Sequence, residues 1–260
     1  MTKKHLGQNY LFDPLILERI IAASGISGED TVVEIGPGPG RLTKMLAKTA
    51  KKVLAIELDP DLYDKLEAQC AGIKNLELVR GDALEYPFEK VGPFSVVANI
   101  PYYITIPIIF RLMETGGNLR TMTLTVQKEV AERIVAVPGN KDYGVLSLSV
   151  QYRAEAELKF IIPKTAFKPV PKVDSAVIHM RMLERPRVEV PDEKLFFRIV
   201  KTAFAQRRKT LANSLKSVSD DIKQILTSAG IEPKRRAETL SIEEFARLCD
   251  TVKEREENEA

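Results

Sequence analysis

Cysteine is scarce in this sequence. Cys70 and Cys249 are the only two in 260 residues, they lie far apart, and they fit no metal-ligand spacing. They read as reduced thiols of a cytosolic protein, with no metal site expected. Long apolar runs are missing too: "ITIPIIF" is far too short to cross a bilayer. The N-terminus, "MTKKHLGQNY", has no apolar signal core, so a secretory signal peptide is not expected. No internal repeat is visible. Net charge is small, formally +3, and does not by itself argue for a nucleic-acid partner. What remains has the composition of an ordinary globular protein, long enough for one or two domains.

The elements that are present alternate. "FDPLILERIIAASG" reads as a helix with Asp13 at the N-cap, Pro14 in the first helical position and Gly25 as the stop. "TVVEIGPGPG" reads as a strand, Thr31 to Ile35, running into a glycine turn, and "RLTKMLAKTA" resumes helical spacing. "KVLAIELDP", "NLELVRGDALEY", "FSVVANIPYY" and "TMTLTVQ" continue the series of strands, with a helix at "DLYDKLEAQCA". "VLSLSVQYRAE" and "SAVIHMRML" read as two further strands that pair near one edge. Such alternation predicts a doubly wound, mostly parallel sheet. From about Arg185 the pattern turns purely helical: "DEKLFFRIVKTAFAQRRKTLANSLKSV", "DDIKQILTSAG" and "SIEEFARLC", the last opened by a Ser241/Glu244 capping box. The expected boundary falls in "LERPRVEVPD", separating residues 1–184 from a small helical domain at 185–260, whose charged tail "KEREENEA" is expected to fray.

Chemistry concentrates at the ends of the first four strands. "EIGPGPG" places Gly36, Gly38 and Gly40 where a backbone must approach a ligand closely and open a helix. The spacing is G-x-G-x-G, with Arg41 where the dinucleotide fingerprint has its third glycine, which weighs against NAD; no Gly-Lys-Ser/Thr follows, which excludes a P-loop. Glu57, about twenty residues on, stands where a carboxylate accepts from ribose hydroxyls. Asp82, ending the third strand, can accept from an exocyclic adenine amine. A glycine turn for an amino-acid carboxylate, Glu57 for ribose and Asp82 for adenine together describe S-adenosylmethionine.

"VVANIPYYIT" ends the fourth strand in Asn99. Its amide oxygen can accept from an amine without competing for its proton. Pro101 holds the segment rigidly and aims its own carbonyl or that of Ile100, and Tyr102 offers a face on which a base can stack. These parts suit an exocyclic aromatic amine such as adenine N6, with methyl transfer in line from the sulfonium and no metal or covalent intermediate.

The chain resembles the N6-adenine methyltransferases at "NIPY". Through "GQNYLFD", "EIGPGPGRLT", "NIPYYITIPI", "FKPVPKVDSAV", "FAQRRKTLANSL" and "RAETLSIEEFARL" it resembles more narrowly the ribosomal RNA adenine dimethyltransferases of the KsgA family. That resemblance implies a Rossmann-like class I S-adenosylmethionine-dependent methyltransferase domain with a seven-stranded sheet and a helical C-terminal domain. It implies a cytoplasmic enzyme that dimethylates two adjacent adenosines in a hairpin loop near the 3′ end of small-subunit (16S) rRNA during ribosome biogenesis. The expected partner is that rRNA in a pre-assembled small subunit, bound by a monomer. The family's cofactor contacts fall on Asn9, Leu11, Gly36, Glu57, Asp82 and Asn99, with Gln8 and Gly38 beside them. Its catalytic motif falls on Asn99, Ile100, Pro101 and Tyr102, with isoleucine at 100 where leucine is more common. Phe167 resembles the aromatic that stacks on the flipped base.

Between Glu193 and Asp220 there is no acidic residue, whereas Lys194, Arg198, Lys201, Arg207, Arg208, Lys209 and Lys216 all lie there. Such a run attracts phosphates through charge and counterion release. Lys201, Arg207, Arg208 and Lys209 are the expected RNA contacts, and Lys164, Lys168 and Lys172 around Phe167 extend the basic character. Three alternatives remain at this level. One is an Erm-type enzyme acting on large-subunit RNA, another is a non-catalytic RNA- or DNA-binding assembly factor on the same fold, and the third is a small-molecule methyltransferase.

Overall fold

A computed structural model describes residues 9–258. In chain order the elements are β1 (Tyr10–Leu11), α1 (Pro14–Ser24), β2 (Thr31–Ile35), α2 (Arg41–Thr49), β3 (Lys52–Glu57), α3 (Pro60–Cys70), β4 (Leu76–Arg80), β5 (Phe94–Asn99), α4 (Thr105–Met113), β6 (Leu119–Gln127), α5 (Lys128–Val135), α6 (Val145–Arg153), β7 (Ala154–Ile162), β8 (Phe167–Lys168), β9 (Ser175–Met182), α7 (Glu193–Ala205), α8 (Leu211–Ser214), α9 (Ile222–Ser228) and α10 (Ile242–Asn258). The described residues form two compact units, one of 9–131 with 156–184, the other of 132–155 with 185–258. No helix among the described residues is long and apolar enough to cross a membrane.

The first unit is built on a seven-stranded sheet in the order β4-β3-β2-β5-β6-β9-β7. β2 pairs in parallel with β3 and β5, β3 with β4, and β5 with β6; β9 joins β6 antiparallel. The sequence explains the central position of β2: Val32 and Val33 have no exposed surface, as strands covered on both faces require. From β2 the chain first builds outward through β3 and β4, then returns to the other side for β5 and β6. The carboxyl ends of β2 and β5 therefore flank a topological switch point, where open α/β sheets bind ligands. Local signals bound the helices. Asp13 Oδ1 accepts the Leu15 N–H at 2.9 Å, Pro14 occupies the first turn, and Gly25 closes α1 with φ of 66°. Asp59 caps α3 in the same way through the N–H groups of Asp61 and Leu62.

Three segments differ from what the sequence suggests. "VLSLSVQYR" is helix α6 rather than a strand, and the strand that borders β9 begins only at Ala154. The alternation misleads because this helix is buried nearly all round: Leu146, Ser147, Leu148, Ser149, Val150 and Tyr152 are all buried. Its polar members bond the end of α5, Ser147 Oγ donating to Arg133 O at 2.5 Å and Gln151 Nε2 donating to the carbonyls of Ile134 and Ala136 at 2.8 and 2.9 Å.

The long helix expected over 192–218 breaks after Ala205. The N–H groups of Leu211 and Ala212 donate instead to the carbonyls of Arg235 and Pro233, at 2.8 and 3.1 Å, so tertiary bonds replace the helical ones. The C-terminal tail is helical through Asn258, held by Arg255 to Asp221 at 3.1 Å and Glu256 to Arg198 at 3.3 Å.

The second unit packs α6, α7, α8, α9 and α10 around a core that includes Tyr143, Tyr152, Phe196, Phe204, Phe245 and Leu248. Ser241 and Glu244 form the expected capping box, Glu244 Oε2 accepting the Ser241 N–H at 2.9 Å and Ser241 Oγ accepting the Glu244 N–H at 3.3 Å.

Candidate active site

A cleft opens at the carboxyl ends of β2, β3, β4 and β5. Asn9, Gly36, Gly38, Glu57, Asp82, Asn99, Pro101 and Tyr102 all line it, together with Tyr10, Leu58, Ala83, Leu84, Ile100 and Tyr103. Asn9 and Tyr10 come from the start of the β1–β8 ribbon; the other residues, far apart in sequence, meet because they lie at or just after the carboxyl ends of strands of one sheet.

The glycine turn is the floor of one side. Gly38 has φ of 54°, and a Cβ there would stand 2.6 Å from the Tyr10 ring; Gly40 has φ of 74°, and a Cβ would stand 2.2 Å from Leu66 Cδ1. Both the conformation and the space exclude a side chain. Glu57 is 2% exposed and is held by two backbone donors: Gly38 N–H to Oε2 at 3.0 Å and Asp59 N–H to Oε1 at 2.9 Å. Burial raises its pKa, and hydrogen bonds from the backbone of Asp59, Gly38 and Leu58 oppose the rise. Each oxygen retains a second lone pair, so the group can still accept from a vicinal diol. Asp82 is partly exposed; its Oδ1 accepts the Leu84 N–H at 2.9 Å, which fixes the carboxylate at the cleft wall. These donors and acceptors, over glycines that admit no Cβ, fit the amino-acid, ribose and adenine portions of S-adenosylmethionine.

On the opposite wall Asn99 ends β5. Its Nδ2 donates to the carbonyl of Asn9 at 3.0 Å. The carbonyl of Pro101 accepts from the Ile104 N–H at 3.2 Å, inside a short turn. The Ile100 carbonyl has no such donor among the described residues, which distinguishes the two carbonyls that the sequence left open. Tyr102 Oη shares a 2.7 Å hydrogen bond with Ser175 Oγ, which orients its ring. Tyr103 is 52% exposed at the rim. The Tyr10 hydroxyl is pushed up to about 12 by burial and by the charges of Glu57 and Asp59, so it stays a neutral phenol.

Several expected site residues are placed elsewhere. Phe167 does not line the cleft: it has no exposed surface, paired opposite Leu11 in the β1–β8 ribbon and packed with Leu17, Ile20 and Val177. A ring so covered offers no free face to a base. Leu11 is likewise core, beside a small cavity that also touches Glu34, Gly36 and Asn99. Gln8 lies outside the described residues. Lys201, Arg207, Arg208 and Lys209 are all exposed, the first on α7 and the others in the turn that follows it, within the second unit. Arg207 donates through Nη2 to the Lys141 carbonyl, so its guanidinium is partly engaged. Lys164, Lys168 and Lys172 are exposed in the first unit. Tyr10 and Tyr103 escaped the sequence reading. Tyr10 adjoins the polar pair before it, and Tyr103 follows Tyr102, but nothing in the sequence says which tyrosine faces the cleft.

A model of the ribosomal RNA adenine dimethylase family matches residues 1–254. The chain belongs to the ribosomal RNA adenine dimethylase family. It is 48% identical over 256 residues to "Ribosomal RNA small subunit methyltransferase A" of Clostridium botulinum, covering 96% of this chain and 93% of that one. It is 47% identical over 266 residues to the protein of the same name from Listeria welshimeri, covering 96% and 90%. Among solved structures, a dimethyladenosine transferase from Plasmodium falciparum superposes with a TM-score of 0.78 at 29% identity, covering 92% of this chain and 95% of that one. The 23S rRNA methyltransferase ErmE superposes with a TM-score of 0.75, also at 29%, covering 94% and 100%. The fold does not separate these two members of the wider group, since their scores nearly coincide. Sequence does: relatives named for the small subunit share 44–48% identity. The family's fold and its use of S-adenosylmethionine agree with a cleft whose glycine turn and two carboxylates lie at the carboxyl ends of the strands.

Proposed function

We infer that the chain is an S-adenosylmethionine-dependent adenine-N6,N6-dimethyltransferase of small-subunit rRNA, acting on two adjacent adenosines in a hairpin loop near its 3′ end. The observation that carries this reading is the position of Asn99. It presents its amide inside the same cleft as the glycine turn, Glu57 and Asp82. Bound S-adenosylmethionine supplies an electrophilic methyl group.

The chain's own groups prepare the nucleophile. The N6 lone pair of adenine is delocalised into the ring, so the amine attacks poorly. In the first transfer Asn99 Oδ1 and the Ile100 carbonyl accept its two N–H bonds and draw the nitrogen toward tetrahedral geometry; in the second the methylated amine keeps one N–H for one of these acceptors. An amide accepts a hydrogen bond without taking the proton, so the proton displaced by methylation leaves to water. Tyr102 and Tyr103 provide faces against which an extruded base can stack, and extrusion favours a loop adenosine over a paired one. Positioning supplies much of the rate.

Gly36 and Gly38 receive the amino-acid end of the cofactor, Glu57 the ribose and Asp82 the adenine amine, with Asn9 at the rim. Lys201, Arg208 and Lys209 hold phosphates of the rRNA through counterion release. The partner is rRNA within an assembled small subunit, met by a monomer in the cytoplasm.

Mass spectrometry of rRNA after incubating separate small and large subunits with the protein and S-adenosylmethionine tests the reading. Dimethyladenosine at two adjacent positions of small-subunit rRNA is expected. Product confined to the large subunit would establish the ErmE-like alternative.

A further inference from the structure

The N-terminal strand touches three parts of the site at once. Asn9 contributes its carbonyl to Asn99 Nδ2 at 3.0 Å. Tyr10 lies over the glycine turn, its ring 2.6 Å from where a Gly38 Cβ would stand. Tyr10 and Leu11 pair antiparallel with Lys168 and Phe167. A side-chain amide can face a carbonyl only with its nitrogen, because the oxygen would meet another oxygen. The bond to Asn9 therefore settles which way round the Asn99 amide sits. With Nδ2 committed, Oδ1 is turned to the other side, and no donor among the described residues occupies it. An amide turned over would present N–H groups to the substrate amine and repel it.

We propose that the backbone carbonyl of Asn9 is a positioning group for the methyl transfer, locking the Asn99 amide in the orientation that accepts the adenine N–H. The strand β1 is then part of the catalytic apparatus as well as a wall of the cofactor cleft, and its pairing with β8 holds that carbonyl in place. This rests on the adenine-methylating reading. It goes beyond that reading by assigning two separate duties to one residue: the Asn9 side chain serves cofactor affinity, and its carbonyl serves the chemical step.

The full-length protein tests this with a single-atom exchange. Installing the α-hydroxy analogue of tyrosine at position 10 converts the Asn9–Tyr10 amide to an ester, whose carbonyl is a weaker acceptor. At saturating cofactor and small subunit, the single-turnover rate is expected to fall about fivefold or more, the factor that corresponds to weakening one hydrogen bond. Affinity for S-adenosylhomocysteine is expected to stay within about twofold, a change smaller than the removal of one hydrogen bond would cause. Asn9→Ala, which keeps the carbonyl, is expected to show the opposite emphasis: the KM for cofactor rises by a larger factor than the saturated rate falls. The same ester exchange at Phe12, which alters the Leu11 carbonyl instead, serves as the control for loss of one backbone N–H.

An NMR readout independent of turnover accompanies these. One Nδ2 proton of Asn99 should be protected from exchange in the wild type and lose that protection in the position-10 ester. An ester variant with a wild-type rate, an equal loss in the Phe12 ester, or unchanged protection of the Asn99 amide overturns the proposal. If the unmodified protein transfers no methyl to small-subunit rRNA, the functional reading fails instead, and the exchange measurement still decides whether the carbonyl holds the amide.

Discussion

Gly38 donates its backbone N–H to the Glu57 carboxylate across 3.0 Å, from the turn after β2 to the end of β3. The bond makes the glycine turn and the ribose-side carboxylate one unit, each fixing the other. Removing the carboxylate by Glu57→Ala therefore strips two backbone donors of their acceptor as well as removing the contact proposed for the ribose. Affinity for S-adenosylhomocysteine, read by calorimetry, should drop by about 2–4 kcal/mol, the scale of breaking a buried charged hydrogen bond. Glu57→Gln, which keeps an acceptor oxygen, should lose less.

Asn99→Ala removes the acceptor proposed for adenine N6 but leaves Gly36, Gly38, Glu57 and Asp82 intact. Single-turnover transfer to small subunits should fall by about 10²-fold or more, as when one preorganised hydrogen-bonding group is removed from a transition state. Cofactor binding should be retained in part. Near-normal turnover would remove Asn99 from its assigned role.

Glu34 lies in β2, 2% exposed, and its Oε2 has no hydrogen-bond partner. Burial, with the Glu57 charge adding, pushes its pKa from the ordinary 4.5 up to about 8. The folded state thus favours the protonated acid. Its stabilising effect is fullest below pH 4.5 and declines as pH rises toward 8, because the unfolded chain gains by ionising there. Glu34→Gln should flatten that decline. Chemical denaturation of both proteins between pH 5 and 8 checks it, and parallel curves would show that Glu34 is not the titrating group.

Gly40→Ala places a Cβ 2.2 Å from Leu66 Cδ1 at a φ of 74°. The left-handed conformation alone costs about 1–2 kcal/mol for a residue with a Cβ. Thermal unfolding should show at least that loss, and a substitution without effect would mean that the turn can relax away from α3.

Arg208→Glu with Lys209→Glu should weaken binding to small subunits and reduce the slope of log affinity against log salt by about one for each phosphate no longer held. Arg207 is a poorer choice for this test, because its bond to the Lys141 carbonyl gives its replacement a second effect. Affinity and slope both unchanged would place the RNA-binding surface elsewhere.

Much of the cleft could be read in the chain before the fold was known. Glycines, Glu57, Asp82 and Asn99 each follow a run of apolar β-formers, and in a doubly wound sheet strand ends converge by topology. What could not be read has physical causes. Helix α6 carries apolar residues on every side, so the periodicity that separates helix from strand is absent, and its Ser147 and Gln151 donate to the end of α5. The break after Ala205 is imposed by carbonyls at Pro233 and Arg235, residues distant in sequence. Phe167 is singled out only by the family resemblance, and its pairing with Leu11 buries it. A carbonyl such as that of Asn9 is common to every residue and leaves no mark in a sequence at all.

Residues 132–155 leave the sheet-bearing unit, contribute Ala136, Tyr143, Leu148 and Tyr152 to the helical core, and return to form β7. No single cut can therefore yield either half intact. A fragment ending at residue 184 would carry those side chains with nothing to bury them, and one starting at 185 would lack them. Dissecting the protein calls for excising the loop and rejoining its ends, or for supplying the excised piece in trans.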